Sequence, residues 1–291
     1  MRARRSDTRA AWLFLAPDGV GLALFVAIPT VLALLVGFFH LDSFGNLSWA
    51  GLDNFRLMAG DGLLWRSFGI TLLYAAMFVP LCFAVSLGLA LLVRDHFPGV
   101  GAVRAALFLP HSVSLVVIGL VWQFLLTDKT GAVNRLFGLS EVSWLGDPDL
   151  ALFTLVLISV WFLMGYQMLI FLGGLQDIPR EFYDAATVDG GGPWQRFRHV
   201  TWPMLRPTSF FVLVTSTING VAGLQVFDLV FVVTSGGPAN ATSTVVYYAY
   251  QQAFLFGRFG YAAAICALLV AALAAFTAAL FALTRGGRFD G

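Results

Sequence analysis

Residues 259–284 read FGYAAAICALLVAALAAFTAALFALT, 26 positions without Asp, Glu, Lys or Arg, held between Arg258 and Arg285. About 20 predominantly apolar residues cross a hydrocarbon core roughly 30 Å thick as a helix. No apolar-polar alternation of period two runs through the stretch, so a barrel strand is not indicated. A helix satisfies its own backbone in lipid, and that reading decides the class.

Working outward, the same signal recurs at 19–41, 67–93, 105–127, 150–176 and 207–227, each free of charge. The expectation is an all-α membrane protein with six transmembrane helices at 13–40, 67–93, 105–127, 150–175, 207–233 and 259–284. Pro17 and Pro29 are expected to start or bend the first helix. Asp18 reads as an interfacial residue or helix-end partner. The apolar run behind the N-terminal arginines is too long for a signal peptide, and no small-residue cleavage site follows cleanly. A further charge-free run, 229–257, carries turn chemistry from Thr234 to Asn240. Its remainder, Val245 to Phe256, is too short to span and is expected to be interfacial or extracytoplasmic.

Composition agrees. The 291 residues are 59% hydrophobic and 11% charged, with a mean hydropathy of +0.83. A soluble domain carries about 25% charged residues, so a soluble enzyme, a nucleic-acid binder and a disordered chain are poor readings. The net charge of +1 says little until it is mapped. With six spans and both termini in the cytoplasm, 12 of the 17 basic residues fall inside and 5 outside, as the positive-inside rule requires. A seventh span would move Arg285 and Arg288 outside. Cys82 and Cys266 both sit in apolar runs and read as packing residues. The histidines, His40, His96, His111 and His199, are scattered. No Ser-His-Asp set, no metal-spaced cluster and no G-x-x-x-x-G-K-[ST] is present, so no catalytic residue, metal or cofactor is assigned to this chain.

One connection differs from the others. Residues 177–206 read DIPREFYDAATVDGGGPWQRFRHVTWPMLR and hold eight of the 33 charged residues, four of each sign. Asp177 is expected to cap a short helix with Pro179 in its first turn. Gly190-Gly191-Gly192 ends that helix, and Pro193 starts the next. Ala185 and Ala186 permit close approach of another surface, and Phe182 and Tyr183 offer apolar anchors. A docking knob and a plain amphipathic connector packing on its own bundle both fit this pattern.

Asp184-Ala185-Ala186-x-x-Asp189-Gly190, followed by Trp194, Phe197 and Pro203, resembles the EAA motif of permease subunits in binding-protein-dependent ABC importers. Other landmarks accompany it: Leu15-Ala16-Pro17, Gly51-Leu52-Asp53-Asn54-Phe55, Phe108-Leu109-Pro110, Gly131-x-x-Asn134, Gly173-Gly174-Leu175-Gln176-x-Ile178-Pro179 and Gly236-Gly237-Pro238. Their order over about 270 residues is similar to that of the carbohydrate-uptake branch, as in maltose and glycerol-phosphate importers. Asp184 stands where the motif usually has Glu.

The resemblance implies a type I ABC importer permease fold in a prokaryotic cytoplasmic (inner) membrane. It implies a second homologous permease completing a heterodimer, and an extracytoplasmic solute-binding protein. It also implies two ATPase subunits that bind ATP and Mg. The loop 177–198 would be the coupling helix, with Glu181, Asp184, Ala185, Ala186, Asp189 and Gly190 meeting the ATPase. No nucleic acid is expected as a partner; the lipid bilayer is.

Polar residues within spans are costly in lipid and are candidates for the transport path. The fourth span holds Ser159, Trp161, Tyr166 and Gln167; the fifth holds Asn219, Gln225 and Asp228. Amide and carboxylate groups pair with sugar hydroxyls, and aromatic rings cover sugar C–H faces. By resemblance, Tyr166 and Asn219 fall where maltose-type permeases line their cavity; Trp161, Gln225 and Asp228 are further substrate-path candidates. Gln225 and Asp228 are expected to share a face and to hydrogen-bond each other. Small Ala222 and Gly223 would leave room beside Asn219. Helix–helix hydrogen bonding is the alternative use of such residues. The leading reading is the translocation subunit of an ATP-driven importer of a sugar or sugar-like solute, working by alternating access. An ion-gradient-driven secondary transporter is the alternative, though Asp18 and Asp228 are the only carboxylates in the spans, neither is central, and no internal repeat is seen.

Overall fold

The computed structural model describes residues 14–41, 45–128, 130–139 and 142–283, with the backbone alone at Leu224. The N-terminal arginines, Lys129, Arg285 and Arg288, on which the charge asymmetry partly rests, lie outside the described residues.

Among the described residues the chain is mostly helical, with one short hairpin and several turns. Helix α1 (Phe14–Val36) leads into strands β1 (Phe39–Leu41) and β2 (Leu47–Trp49). Then come α2 (Asp53–Gly60), α3 (Gly62–Leu92), α4 (Val100–Phe108) and α5 (Leu115–Leu125). Next are α6 (Ala132–Phe137), α7 (Pro148–Gln176), α8 (Arg180–Val188), α9 (Pro193–Arg196) and α10 (Trp202–Met204). The last are α11 (Arg206–Ala222), α12 (Leu224–Leu229), α13 (Val245–Tyr250) and α14 (Phe259–Leu283). Among the described residues four helices, α1, α3, α7 and α14, are each long and apolar enough to cross a bilayer. Two bent pairs, Val100–Ser112 with Leu115–Leu125 and Arg206–Ala222 with Gln225–Thr234, make six crossings when each is counted once.

The bent pairs depart from the straight spans expected at 105–127 and 207–233. The first pair turns by 95°. Pro110 sits in the tight turn Leu109–Ser112, where it has no N–H to give a helix. Val113 behind it is extended, at φ −95° and ψ 149°. The second pair turns by 42° at Gly223, which is extended at φ −66° and ψ 141°. The first span also stops short of residue 40: α1 ends at Val36, and β1 pairs antiparallel with β2, His40 opposite Ser48. Strands of three residues leave too little sequence for a period of two to register.

The described chain forms two compact units. One takes the chain as far as Gly62 together with Ala249–Ala271; the other comprises Leu63–Tyr248 and continues from Ala272. In the first, Asn54 is buried and donates from Nδ2 to the carbonyls of Gly37 (2.8 Å) and Phe39 (2.9 Å). Gly37 caps the end of α1 and Phe39 opens β1, so the landmark Asn54 satisfies acceptors where the helix gives way to the strand. The Tyr261 hydroxyl donates to Asp61 at 2.6 Å.

In the second unit α7 is the central post. Its most apolar window is 67% buried, whereas no residue of the α1 window is buried. An uncovered apolar helix of this kind suits lipid or a partner chain rather than water. Gly165 lets α7 touch the chain behind it: a Cβ there would overlap the Leu107 carbonyl. Small residues at such contacts are how helices approach closely in membranes. Further along, the Gln167 carboxamide donates to Ser216 Oγ of α11 at 2.7 Å. Its Oε1 accepts from the Cys82 thiol of α3 at 3.2 Å. A polar stitch thus joins three helices in the dry interior.

Candidate functional site

Two places hold the functional candidates, both within the second unit. The first is the segment after α7. Asp177 is not the cap of α8. It is still helical (φ −73°, ψ −12°) and closes α7, its N–H donating to the Gly173 carbonyl at 3.1 Å. Pro179, extended at φ −61° and ψ 138°, precedes α8 instead of sitting in its first turn. The dipeptide Ile178-Pro179 separates the two helices because a residue before proline disfavours the helical region.

Helix α8 ends where Gly190 takes φ +79°, a left-handed conformation that glycine adopts without a Cβ clash. The Gly191 N–H then returns to the Ala186 carbonyl at 2.8 Å. The Gly192 N–H donates to Gln195 Oε1 at 2.8 Å, which starts α9 at Pro193.

The two faces of α8 differ. Tyr183 and Ala186 are half-buried and pack on a cluster built from Leu87 and Ala90 of α3, Phe171 and Leu175 of α7, and Leu205. Glu181, Asp184, Ala185, Asp189 and Gly190 are all exposed, as are Phe182 (51%) and Val188 (87%). Ala186 therefore serves the chain's own packing, while Ala185 belongs to the outer face. The Tyr183 ring also carries the Arg94 guanidinium 4.4 Å from its centroid.

The second place lies along α7, α11 and α12. Asn219 and Gln225 line one narrow gap with Tyr74, Ser159 and Phe162, too tight for a water molecule. Gln225 Oε1 is buried there without a hydrogen-bond partner among the described residues. The Tyr74 hydroxyl donates to Ser159 Oγ at 2.6 Å beside it. Tyr166 stands one turn beyond Phe162. It is 38% exposed, and its ring stacks on His111 at 4.7 Å. Trp161 points elsewhere and meets Trp122 edge-on at 5.7 Å.

Asp228 is half-buried, and the expected Gln225–Asp228 hydrogen bond is not formed among the described residues. Gln225 turns its carboxamide into the gap beside Asn219 instead. The room expected beside Asn219 is also absent. The chain is extended at Gly223, and a Cβ there would press on the Asn219 carbonyl. The break removes the helical register that related Asn219 to Val226.

The structure thus joins Asn219 with Gln225 in one gap, whose lining does not include Tyr166, Trp161 or Asp228. Sequence reasoning passed over His111, which lies between Phe162 (5.1 Å) and Tyr166 (4.7 Å). No local signal links residues so far apart in the chain. Gln167 and Ser159 were visible as polar positions in a span, but their partners were not. Among the described residues no group of three His, Cys, Asp or Glu is placed to hold a metal ion.

The family described as binding-protein-dependent transport system inner membrane component matches residues 100–285. The chain is 33% identical to the probable ABC transporter permease protein YesP of Bacillus subtilis over 288 residues, covering 96% of this chain and 92% of that protein. It is 31% identical over 284 residues to the sulfoquinovosyl glycerol transport system permease protein SmoG of Agrobacterium fabrum, covering 96% and 91%. A bacterial ABC transporter involved in the import of the acidic polysaccharide alginate has a chain of the same fold. The TM-score is 0.83 at 21% identity, covering 98% of this chain and 99% of that one.

Proposed function

This chain belongs to the family of binding-protein-dependent transport system inner membrane components, and from that premise we propose that it is the translocation subunit of an ATP-driven importer of a sugar or sugar-like solute. Relatives named for sulfoquinovosyl glycerol and for sn-glycerol-3-phosphate support the solute class. Family membership supports this reading over the ion-gradient-driven alternative. The subunit pairs with a second, homologous permease as a heterodimer. Two ATPase subunits supply ATP and Mg binding, and a solute-binding protein delivers cargo on the extracytoplasmic side. Both termini face the cytoplasm of a prokaryotic cell, on the strength of the charge asymmetry.

The observation that carries the mechanism is the two-faced helix α8. Its outer face offers Glu181, Asp184, Ala185 and Asp189 to a partner, and its inner face is bonded into the bundle through Tyr183. Movement of the ATPase under α8 is passed to α11 and α3, not absorbed by a slack loop. The gap at Asn219 and Gln225 is closed in this conformation. Alternating access opens it, and the unpartnered Gln225 carbonyl then meets solute hydroxyls or water. The cycle runs because ATP-bound and ATP-free motors favour different conformations of the same bundle.

The test is uptake of labelled solute by cells carrying the complete importer with Asp184→Lys. Uptake is expected to be abolished while the permease remains in the membrane at normal level. Normal uptake by this variant removes α8 from coupling. The isolated chain is expected to hydrolyse no ATP, and measurable hydrolysis by it contradicts the reading.

A further inference from the structure

At the end of α3, beside the coupling segment, lies an open groove whose walls include Arg94, Asp95, Tyr183, Trp194, Arg196 and Phe197. Among the described residues neither Arg94 nor Arg196 makes an ion pair or a side-chain hydrogen bond, and Arg196 Nε is buried without a partner. The other arginines without such partners are exposed, whereas these two are half-buried. Arg94 is held in place from one side only, by the Tyr183 ring beneath it. A half-buried cation without an anion is costly, so the groove is complementary to a negative group that the chain does not supply. Asp95 is the one acid on its wall, which leaves the groove with a net positive charge.

The remaining walls say what carries that negative group. Trp194 is 69% exposed and stacks on Phe197 at 5.6 Å. An exposed tryptophan next to the end of a membrane-spanning helix matches the aromatic belt at headgroup depth. Basic pockets between spans on the cytoplasmic side suit anionic lipid headgroups. Arginine presents a fork of donors that fits phosphate oxygens in pairs.

We propose that this groove is a binding site for the phosphate of an anionic phospholipid of the cytoplasmic leaflet, held by Arg94 and Arg196 with Trp194 against the glycerol and upper acyl region. Because Tyr183 belongs to α8, a lipid bound here braces the coupling helix against α3. The proposal rests on the cytoplasmic orientation given above.

The test uses the purified full-length chain without ATP or partners, reconstituted in mixed phosphatidylglycerol and phosphatidylcholine and then stripped in detergent. Lipid retained per chain is counted by native mass spectrometry. The wild type is expected to keep phosphatidylglycerol in preference to phosphatidylcholine. The paired substitution Arg94→Gln and Arg196→Gln is expected to lower that preference roughly thirtyfold, at about fivefold for each cation near a membrane surface. Arg94→Lys with Arg196→Lys keeps most of it, because the charge remains. Should the paired glutamine variant fail to fold, Arg196→Gln alone, expected to lose about fivefold, serves in its place.

Equal retention of the two lipids by the wild type overturns the proposal, as does an unchanged preference in the glutamine variants. If inorganic phosphate competes as well as a soluble short-chain phosphatidylglycerol, the groove reads a free anion and the lipid assignment fails. If binding of the ATPase expels the retained lipid, the arginines belong to the motor interface and the assignment fails likewise. Lipid retention needs no transport, so its loss leaves the importer reading standing. A normal Asp184→Lys importer would in turn leave lipid retention unaltered.

Discussion

The Tyr183 hydroxyl and Thr201 Oγ1 lie 3.0 Å apart. This bond joins the inner face of α8 to the wide helical turn Phe197–Thr201 that leads towards α11. The contact is local in space but bridges the whole Gly190–Pro193 turn. It makes α8 and the approach to the fifth crossing one mechanical piece.

Removing that bond while keeping the ring isolates its contribution. Tyr183→Phe is expected to lower stability by about 1 kcal/mol, the net worth of a typical hydrogen bond, since the ring stays on the Leu87–Phe171 cluster. Uptake should fall more than ATP hydrolysis by the assembled importer. Equal falls in both, measured in the same membrane vesicles, would show that the bond supports folding only.

Gly165 is expected to tolerate nothing larger. A Cβ there meets backbone, the Leu107 carbonyl, not a flexible side chain, so α4 and α7 must part. Gly165→Ala should cost about 1–3 kcal/mol, as overpacking in a tight interior does. The midpoint of thermal unfolding in detergent checks this, and an unchanged midpoint refutes the close contact.

Gln167 is expected to act as structure, not as a solute contact. Gln167→Leu removes its bonds to Ser216 and Cys82. The cost should be near 1 kcal/mol, because interhelical hydrogen bonds in membranes are individually modest. The KM for uptake should stay as in wild type. A large change in KM with unaltered stability would place Gln167 on the transport path instead.

Tyr166 and Asn219 are expected to separate in their effects. Tyr166 is partly exposed in this conformation and Asn219 lines a closed gap. Tyr166→Ala should raise the uptake KM by about two- to tenfold, the range for loss of one aromatic stacking contact. Asn219→Ala should act chiefly on the maximal rate, since its amide is reached only after the bundle opens. Uptake kinetics of the two single variants decide the matter; wild-type values in both remove them from the path.

Much of this protein was legible before any coordinates. Charge-free runs long enough for a bilayer located the helices that became α1, α3, α7 and α14, because lipid imposes one crude requirement, apolar length, on a whole span. The turn residues in 177–206 marked the end of α8 and the start of α9, because glycine and proline act on the chain next to them. The EAA-like residues and their companions pointed to the family for the same reason: they are short, contiguous and ordered.

Relations across the bundle were not legible. The 95° bend after Pro110 had a local cue in that proline, but the 42° break at Gly223 and the direction of Gln225 had none that a periodic reading could weigh. The stack of His111 on Tyr166, the stitch of Gln167 to Ser216 and Cys82, and the exposure of Ala185 but not Ala186 each depend on which helix lies opposite. Sequence by itself determined that the chain is built of long apolar helices, roughly where they fall and which connection gathers charge, because those properties are set by neighbours in the chain. Only the tertiary structure decided which polar side chains are spent on holding helices together and which, like Arg94, Arg196 and Gln225, keep unsatisfied groups among the described residues, because a hydrogen bond is satisfied by proximity in space.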